Sequence, residues 1–340
     1  MAKTGPSNDG ALHGVVAVGA SAGGVEALNK MAASLPTDLP YAVLVALHIP
    51  PGGPSVLARI IDRSGPLPAE TATEDTRLEP ATIYVAAPDR HLMVYDHRAM
   101  LSEGPTENGH RPAINTLFRS AALTFGPRAI GILLSGVSDD GVLGAAAIRS
   151  RGGTVVAQRP EDALFATLPM NALQAGVVDC QAAASDMGSL LKQMADREIE
   201  EVTVEPDITM EVENRIAMGR RFDTSFDSES LGPHSGYTCP DCNGSLVALA
   251  ENSYRCRVGH AWTTDSLLQA RDNEIESALW VALRSLQEKA KLSRKMADTV
   301  GPGMLAKRYR QLAEEAEHAQ DVLGSRLREP PSGRGERGAG

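Results

Sequence analysis

Four cysteines in 340 residues are too few to staple a fold together by disulfides. Cationic excess is missing too: 33 Lys and Arg face 43 Asp and Glu, and the net charge of -10 excludes a general electrostatic attraction to nucleic acid or anionic membrane. No uninterrupted apolar run is long enough to span a bilayer, and the polar stretch from Met1 to Asp9 lacks the apolar core of a signal peptide. These absences predict an acidic cytoplasmic protein with no membrane insertion and no nucleic-acid partner. No internal repeat stands out. The length leaves room for one good-sized core and a smaller second module.

From His13 to about Cys180, strand and helix signals alternate. Strands are predicted at Val15 to Gly19, Ala42 to Leu47, Ile83 to Ala87, Ala129 to Leu134 and Thr154 to Ala157. Helices are predicted at Val25 to Ala33, Ser55 to Ile61, Ile114 to Phe125 and Gly141 to Ser150. This alternation implies an α/β fold, a doubly wound and mostly parallel sheet covered on both faces. Met93 to Asp96 and Ala99 to Leu101 flank a turn and read as a hairpin.

The first strand runs into a turn of small residues, Gly19-Ala20-Ser21-Ala22-Gly23-Gly24, and a helix follows. Such a junction exposes one hydroxyl at the carboxyl end of a strand and aims unpaired N–H groups at the same place. It suits a nucleophile with its developing oxyanion, or a bound phosphate. The phosphate reading is the weaker, because the turn lacks both the P-loop lysine and a full G-x-G-x-x-G. A serine needs a base and a group to orient that base. His48 follows the second strand directly, and Asp139 and Asp140 follow the strand ending at Leu134, so either aspartate is placed to orient His48.

Several motifs occur together in order: Val-Gly-Ala-Ser-Ala-Gly-Gly at 18–24, Leu-His-Ile-Pro at 47–50, His-Arg-Pro at 110–112 with Leu117 to Ala122, Leu-Ser-Gly-Val-Ser-Asp-Asp-Gly at 134–141, and Leu-Pro-Met-Asn-Ala at 168–172. In this the chain resembles the chemotaxis methylesterase family, the CheB catalytic domain, over about residues 11–193. The resemblance implies hydrolysis of glutamate methyl esters on receptors, with glutamine deamidation in some members. Ser21 is then the nucleophile, His48 the general base and acid, and Asp140 the orienting carboxylate, with no catalytic part for Asp139. No cofactor is implied for catalysis, and the implied partner is a methylated chemoreceptor or another glutamate-methylated protein. Backbone N–H groups of Ala22 and Val137 are the oxyanion candidates. Arg111 reads as a substrate-side or loop-anchoring cation, or as an ordinary surface ion-pair partner. Two positions depart from the family pattern: Ala113-Ile114-Asn115 replaces a frequent Ser-Val-Asp, and Met170 stands where Arg or Lys is frequent. The family commonly carries an amino-terminal phospho-receiver domain. Only twelve residues precede His13, so none is expected in cis.

Further on, Cys239-x-x-Cys242 and Cys256-x-x-x-His260 supply the ligand pairs of a zinc-ribbon-like module, so a structural zinc is expected there. Leu246 to Leu249 and Tyr254-Arg255 read as a short hairpin between them. The same resemblance extends to a carboxyl-terminal extension of this kind found on methylesterase-like proteins without the receiver. Cys180 reads as core, and His91, His97, His110, His234 and His318 as surface residues.

Thr264 to Thr299 and Met304 to Arg328 read as two long helices, with Leu305, Tyr309, Leu312, Ala316, Ala319, Leu323 and Leu327 as an apolar seam. This αα-hairpin is expected either to dock a partner helix or a second copy, or to cover part of the core. The expected organisation is therefore 11–193 catalytic, 194–236 linker with a docked segment in its first half, 237–263 zinc-ribbon-like, 264–328 helical hairpin and 329–340 disordered tail. An alternative function stays open: a non-catalytic scaffold descended from the family, acting through its ribbon and helices.

Overall fold

The computed structural model describes residues 12–52, 55–197, 207–219, 232–250 and 252–328. The polar opening stretch, most of the Ser/Asp/Gly-rich part of the linker and the Pro/Gly/Arg-rich tail lie outside these residues. The chain forms two compact units, Met1–Leu267 and Leu268–Gly340.

The first unit is built on strands β1 (Gly14–Ala20), β2 (Tyr41–Leu47), β3 (Ala69–Thr71), β4 (Thr76–Arg77), β5 (Ile83–Val85), β6 (His91–Tyr95), β7 (Arg98–Ser102), β8 (Ala129–Leu133), β9 (Thr154–Gln158) and β10 (Cys180–Ala182). Its helices are α1 (Gly24–Ser34), α2 (Leu57–Ser64), α3 (Ile114–Phe125), α4 (Val142–Ser150), α5 (Thr167–Gln174), α6 (Met187–Ala195) and α7 (Ile208–Met218). Seven strands form one sheet in the order β10-β9-β8-β1-β2-β5-β3, with every pairing parallel.

Period-two alternation sorts the apolar side chains of β1 between two cores. Val16, Val18 and Ala20 pack with Leu28 and Met31 of α1, Ile61 of α2 and Leu191 of α6. Val15 and Ala17 pack with Leu117 and Phe118 of α3 and Ile148 of α4 on the other face. A strand buried on both sides must be apolar throughout, which is why Val15 to Ala20 carries no polar residue.

The chain builds outward from β1 in one direction through β2 and β5, then returns to lay down β8, β9 and β10 on the other side. The order reverses at β1, and the crevice beyond the strand ends at such a reversal is where open α/β sheets collect their functional groups. Gly19 lets α3 approach this point: a Cβ there would sit 2.2 Å from Ile114 Cγ2.

β4, β7 and β6 form a small antiparallel sheet containing the expected hairpin. Within the expected linker, α7 packs against α3, with Met210 in the α3 core and Met218 beside Met93 and Met100. β11 (His234–Thr238), β12 (Ser245–Ala250), β13 (Ser253–Cys256) and β14 (Ala261–Thr263) form a four-stranded antiparallel sheet, larger than the hairpin read from the sequence.

α8 (Thr264–Thr299) starts in the first unit, and α9 (Met304–Arg328) lies in the second. Past Ser266 and Leu267 at its start, α8 buries Ala290, Ser293 and Ala297, and α9 buries Ala306, Ala313 and Ala316. Of the expected seam, Tyr309, Leu312, Ala319, Leu323 and Leu327 are half-buried and Ala316 is buried, whereas Leu305 is 49% exposed and Ala306 beside it is buried in its place. No helix of the described residues is long and apolar enough to cross a membrane.

Candidate active site and metal centre

Ser21, His48 and Asp140 follow three neighbouring strands, β1, β2 and β8, at their carboxyl ends. Ser21 is fixed by its N–H, which donates to Ser135 O at 2.9 Å, and by its carbonyl, which accepts from Gly24. The turn closes through Gly23 at φ 69°, a left-handed conformation that favours glycine. Ser135 ties the turn to its neighbours, donating from Oγ to Ala22 O at 2.8 Å and accepting from Phe165 N–H at 2.9 Å.

His48 Nδ1 lies 3.2 Å from Ser21 Oγ, and His48 Nε2 lies 2.8 Å from Asp140 Oδ2. An ionised carboxylate only accepts, so the proton of a neutral His48 sits on Nε2 and Nδ1 presents its lone pair to the serine hydroxyl. Asp140 is wholly buried. Its Oδ2 also accepts from Ile114 N–H at 2.6 Å, and its Oδ1 from Asn115 N–H and Asn108 Nδ2, each at 3.4 Å. The amino terminus of α3 thus aims its unpaired N–H groups at the carboxylate, and the helix dipole favours the negative charge. Asn115 Oδ1 accepts from Gly141 and Gly144 N–H, pinning the loop that carries Asp140.

This relay can abstract a proton from Ser21 and return it to a leaving group. The N–H groups of Ala22 and Val137 have no hydrogen-bond partner among the described residues. Asp139 points elsewhere and accepts from Ser266 Oγ at 2.7 Å; burial pushes its carboxyl up, with Ser266 pulling the other way.

Arg111 is engaged as an anchor. Its Nε and Nη2 donate to Asp89 Oδ1 at 2.9 and 2.7 Å, and its Nη1 donates to the carbonyls of Glu103 and Gly104. It still lines an open cavity of about 320 Å³, with His48, Pro50, Thr106 and His110.

Two histidines read as surface residues are drawn inward, His110 half-buried at the cavity and His91 fully buried. His110 stacks on His48, with ring centroids 3.6 Å apart and planes 12° apart. Burial, and then the charge of His48, lower His110 to about 4, so it stays neutral near pH 7. His91 is fully buried, donates from Nε2 to Pro105 O at 2.9 Å, and accepts from Ala113 N–H at Nδ1. It therefore holds both ends of the segment that carries His110.

The sequence model of the CheB methylesterase family matches residues 16–191, just over half of the chain. The chain belongs to the CheB methylesterase family. It is 42% identical over 167 residues to protein-glutamate methylesterase/protein-glutamine glutaminase 3 of Anaeromyxobacter dehalogenans, covering 48% of this chain and 49% of that protein. It is 35% identical over 176 residues to the corresponding enzyme 2 of Methanosarcina mazei, covering 49% and 48%. The chain spans about half the length of these curated relatives. The crystal structure of the Thermotoga maritima CheB methylesterase catalytic domain superposes with a TM-score of 0.51 at 27% identity, covering 53% of this chain and 98% of that one. The CheB match ends at 191, ahead of the four-stranded antiparallel sheet and the long helices.

Beyond the CheB match, Cys239, Cys242, Cys256 and His260 bring their ligand atoms within 4.8 Å of one another. All four cysteines of the chain are free. Tetrahedral zinc, with bonds of about 2.3 Å to sulfur and about 2.0 Å to nitrogen, requires edges of about 3.8 Å between sulfurs and about 3.5 Å from sulfur to nitrogen. Cys242 and Cys256 Sγ are 3.6 Å apart, and His260 Nδ1 lies 3.7 Å from Cys239 Sγ and 3.5 Å from Cys256 Sγ. Three thiolates and one imidazole at this spacing suit zinc.

Sequence reading missed the side chains that join the four-stranded antiparallel sheet to the relay. Glu107, 3% exposed, receives Arg119 Nη2 of α3 at 2.5 Å and lies 3.6 Å from Arg255 Nη2 of β13. Burial alone would raise its carboxyl, but Arg119 and then Arg255 outweigh this and bring it down to about 2. Asn108-Gly109 did carry a signal, because Asn-Gly marks a tight hairpin turn. Both residues have positive φ, 52° and 74°, between the mutually bonded Glu107 and His110.

Proposed function

We propose that this chain is a protein-glutamate methylesterase, hydrolysing glutamate γ-methyl esters on a methylated chemoreceptor or another glutamate-methylated protein, and deamidating glutamine at the same site. The observation that carries this reading is the Ser21–His48–Asp140 relay at the reversal point of the sheet, in a chain of the CheB methylesterase family. Ser21 Oγ attacks the ester carbonyl as His48 Nδ1 takes its proton. The oxyanion of the tetrahedral intermediate meets the N–H groups of Ala22 and Val137, a donor type worth roughly a hundredfold to a thousandfold each. His48 then protonates the departing methoxide, and methanol leaves. Water, deprotonated by His48, attacks the acyl-enzyme and releases glutamate with Ser21 restored; from glutamine the leaving group is ammonia.

In this reading Arg111 serves by bracing the segment from Glu103 to Arg111 beside the cavity. The Cys239/Cys242/Cys256/His260 set holds a structural zinc that takes no part in the reaction, and reduced thiols fit a cytoplasmic setting. Methanol release from a glutamate-methylated receptor peptide tests the function. Wild type releases methanol, and Ser21→Ala lowers the rate by at least about a thousandfold. Equal release from both, or none from wild type on any methylated candidate, leaves the scaffold reading instead.

A further inference from the structure

The ribbon does more than follow the catalytic domain in sequence, because the Glu107–His110 hairpin sits between the metal ligands and the relay. On the metal side, Thr106 Oγ1 donates to Asp241 Oδ2, inside the Cys239–Cys242 knuckle, at 2.5 Å. Ala261, next to the ligand His260, donates its N–H to Thr106 O and accepts from Asn108 N–H at 2.8 Å. Arg255, next to the ligand Cys256, donates to Gly259 O at 2.6 Å and to Glu213, and lies beside Glu107. On the catalytic side, His110 stacks on His48 and Asn108 Nδ2 reaches Asp140.

Asn108, 6% exposed, makes both connections with one side chain. Its Oδ1 accepts from Thr263 N–H of β14 at 2.9 Å, and this bond decides which way the amide faces. With Oδ1 committed to the ribbon, Nδ2 is left as a donor toward Asp140. If β14 moves away, the amide loses the contact that orients it. The buried side chains of the ribbon include Cys239, Leu246, Val247, Cys256 and Trp262, a small core for four strands. Sheets of this size depend on a bound ion for their fold.

We propose that Asn108 is a positioning residue for Asp140, held in its working orientation by the metal-loaded ribbon, so that occupancy of the Cys239/Cys242/Cys256/His260 site sets the reactivity of Ser21. The inference rests on the esterase reading for Ser21, and it adds a metal-dependent control that acts from outside the reaction.

The test uses the full chain and a probe that needs no receptor. Phenylmethylsulfonyl fluoride forms a bond from Ser21 Oγ to sulfur, fluoride leaves, and the serine proton passes to His48. The rate is followed by intact-protein mass over a range of pH for zinc-loaded, chelated and zinc-restored protein. Asn108→Gly removes the side chain yet tolerates the positive φ, and melting of each form verifies that it is folded. Chelation is expected to slow wild type by about tenfold, the scale of a lost hydrogen bond to a charged group, with a shifted pH midpoint and recovery on adding zinc. Loaded Asn108→Gly is expected to be equally slow, with no further loss on chelation, as sites acting through one contact are not additive. Amide exchange at Asn108 and Thr263 should rise on chelation while exchange in β1 stays slow. Wild-type rates in loaded Asn108→Gly, or a full second loss when that variant is chelated, overturn the inference and leave the esterase reading intact. A loaded wild type in which Ser21 never reacts overturns both.

Discussion

His48 bonds through both ring nitrogens and carries a second ring on its face. The stacked His110 makes stability depend on pH. Its native value of about 4 lies below the ordinary 6.5, so between those values the unfolded chain binds a proton that the folded chain refuses. This contribution is fully present above about pH 6.5 and is lost as pH falls toward 4. Between pH 7 and pH 5 it amounts to about 2 kcal/mol. His48 and Asp140 are the titratable groups that face it. Urea unfolding of His110→Phe, which keeps a ring in the stack, should lose about that much less stability over the same interval than wild type does. Equal losses in the two proteins would place the pH sensitivity elsewhere. Ser21 and His48 were legible because each directly follows a strand whose apolar pattern is plain. The bond between Asn108 and Thr263 was not legible, because its two ends lie 155 residues apart.

Among the elements, α3 has the most demanding position. Its first N–H groups hold Asp140, its Arg119 meets Glu107, and its Ile114 rests on Gly19 near the end of β1. Gly19→Ala forces a Cβ into Ile114 and pushes back the helix start. The expected cost is about 1–3 kcal/mol of stability, as for other overpacked cores. The expected kinetic signature is a lower kcat with KM little changed, because the carboxylate that steadies His48 moves while the cavity mouth does not. Normal kcat in a folded Gly19→Ala protein would show that Asp140 does not need this helix start. The helix itself was readable from Ile114 to Phe125. That its amino terminus lands on a carboxylate from another loop depends on the strand order, which no local pattern contains.

At the scale of the whole molecule, the two units separate different questions. Every bond named for the relay, its hairpin and the Cys/His cluster lies within Met1–Leu267. Removing residues 268–340 should therefore leave methanol release per active site unchanged. If the helical hairpin is the dimerisation element, the full chain runs in solution as a dimer and the truncated one as a monomer. Identical masses would remove that role. The sequence by itself determined the alternation of strands and helices, the strand ends that carry Ser21, His48 and Asp140, and the spacing of the Cys239/Cys242/Cys256/His260 cluster. Those features are local: strand and helix periodicity, turn chemistry and ligand spacing all act over a few residues. Only the tertiary structure decided that β2, β1 and β8 lie side by side, that Arg111 is engaged by Asp89, and that β14 reaches Asp140 through Asn108. Each of these depends on pairings between residues far apart in the chain, and such pairings are selected by the packing of the entire core. The serine turn is written in ten residues, and the carboxylate that makes it useful is put in place by the whole sheet.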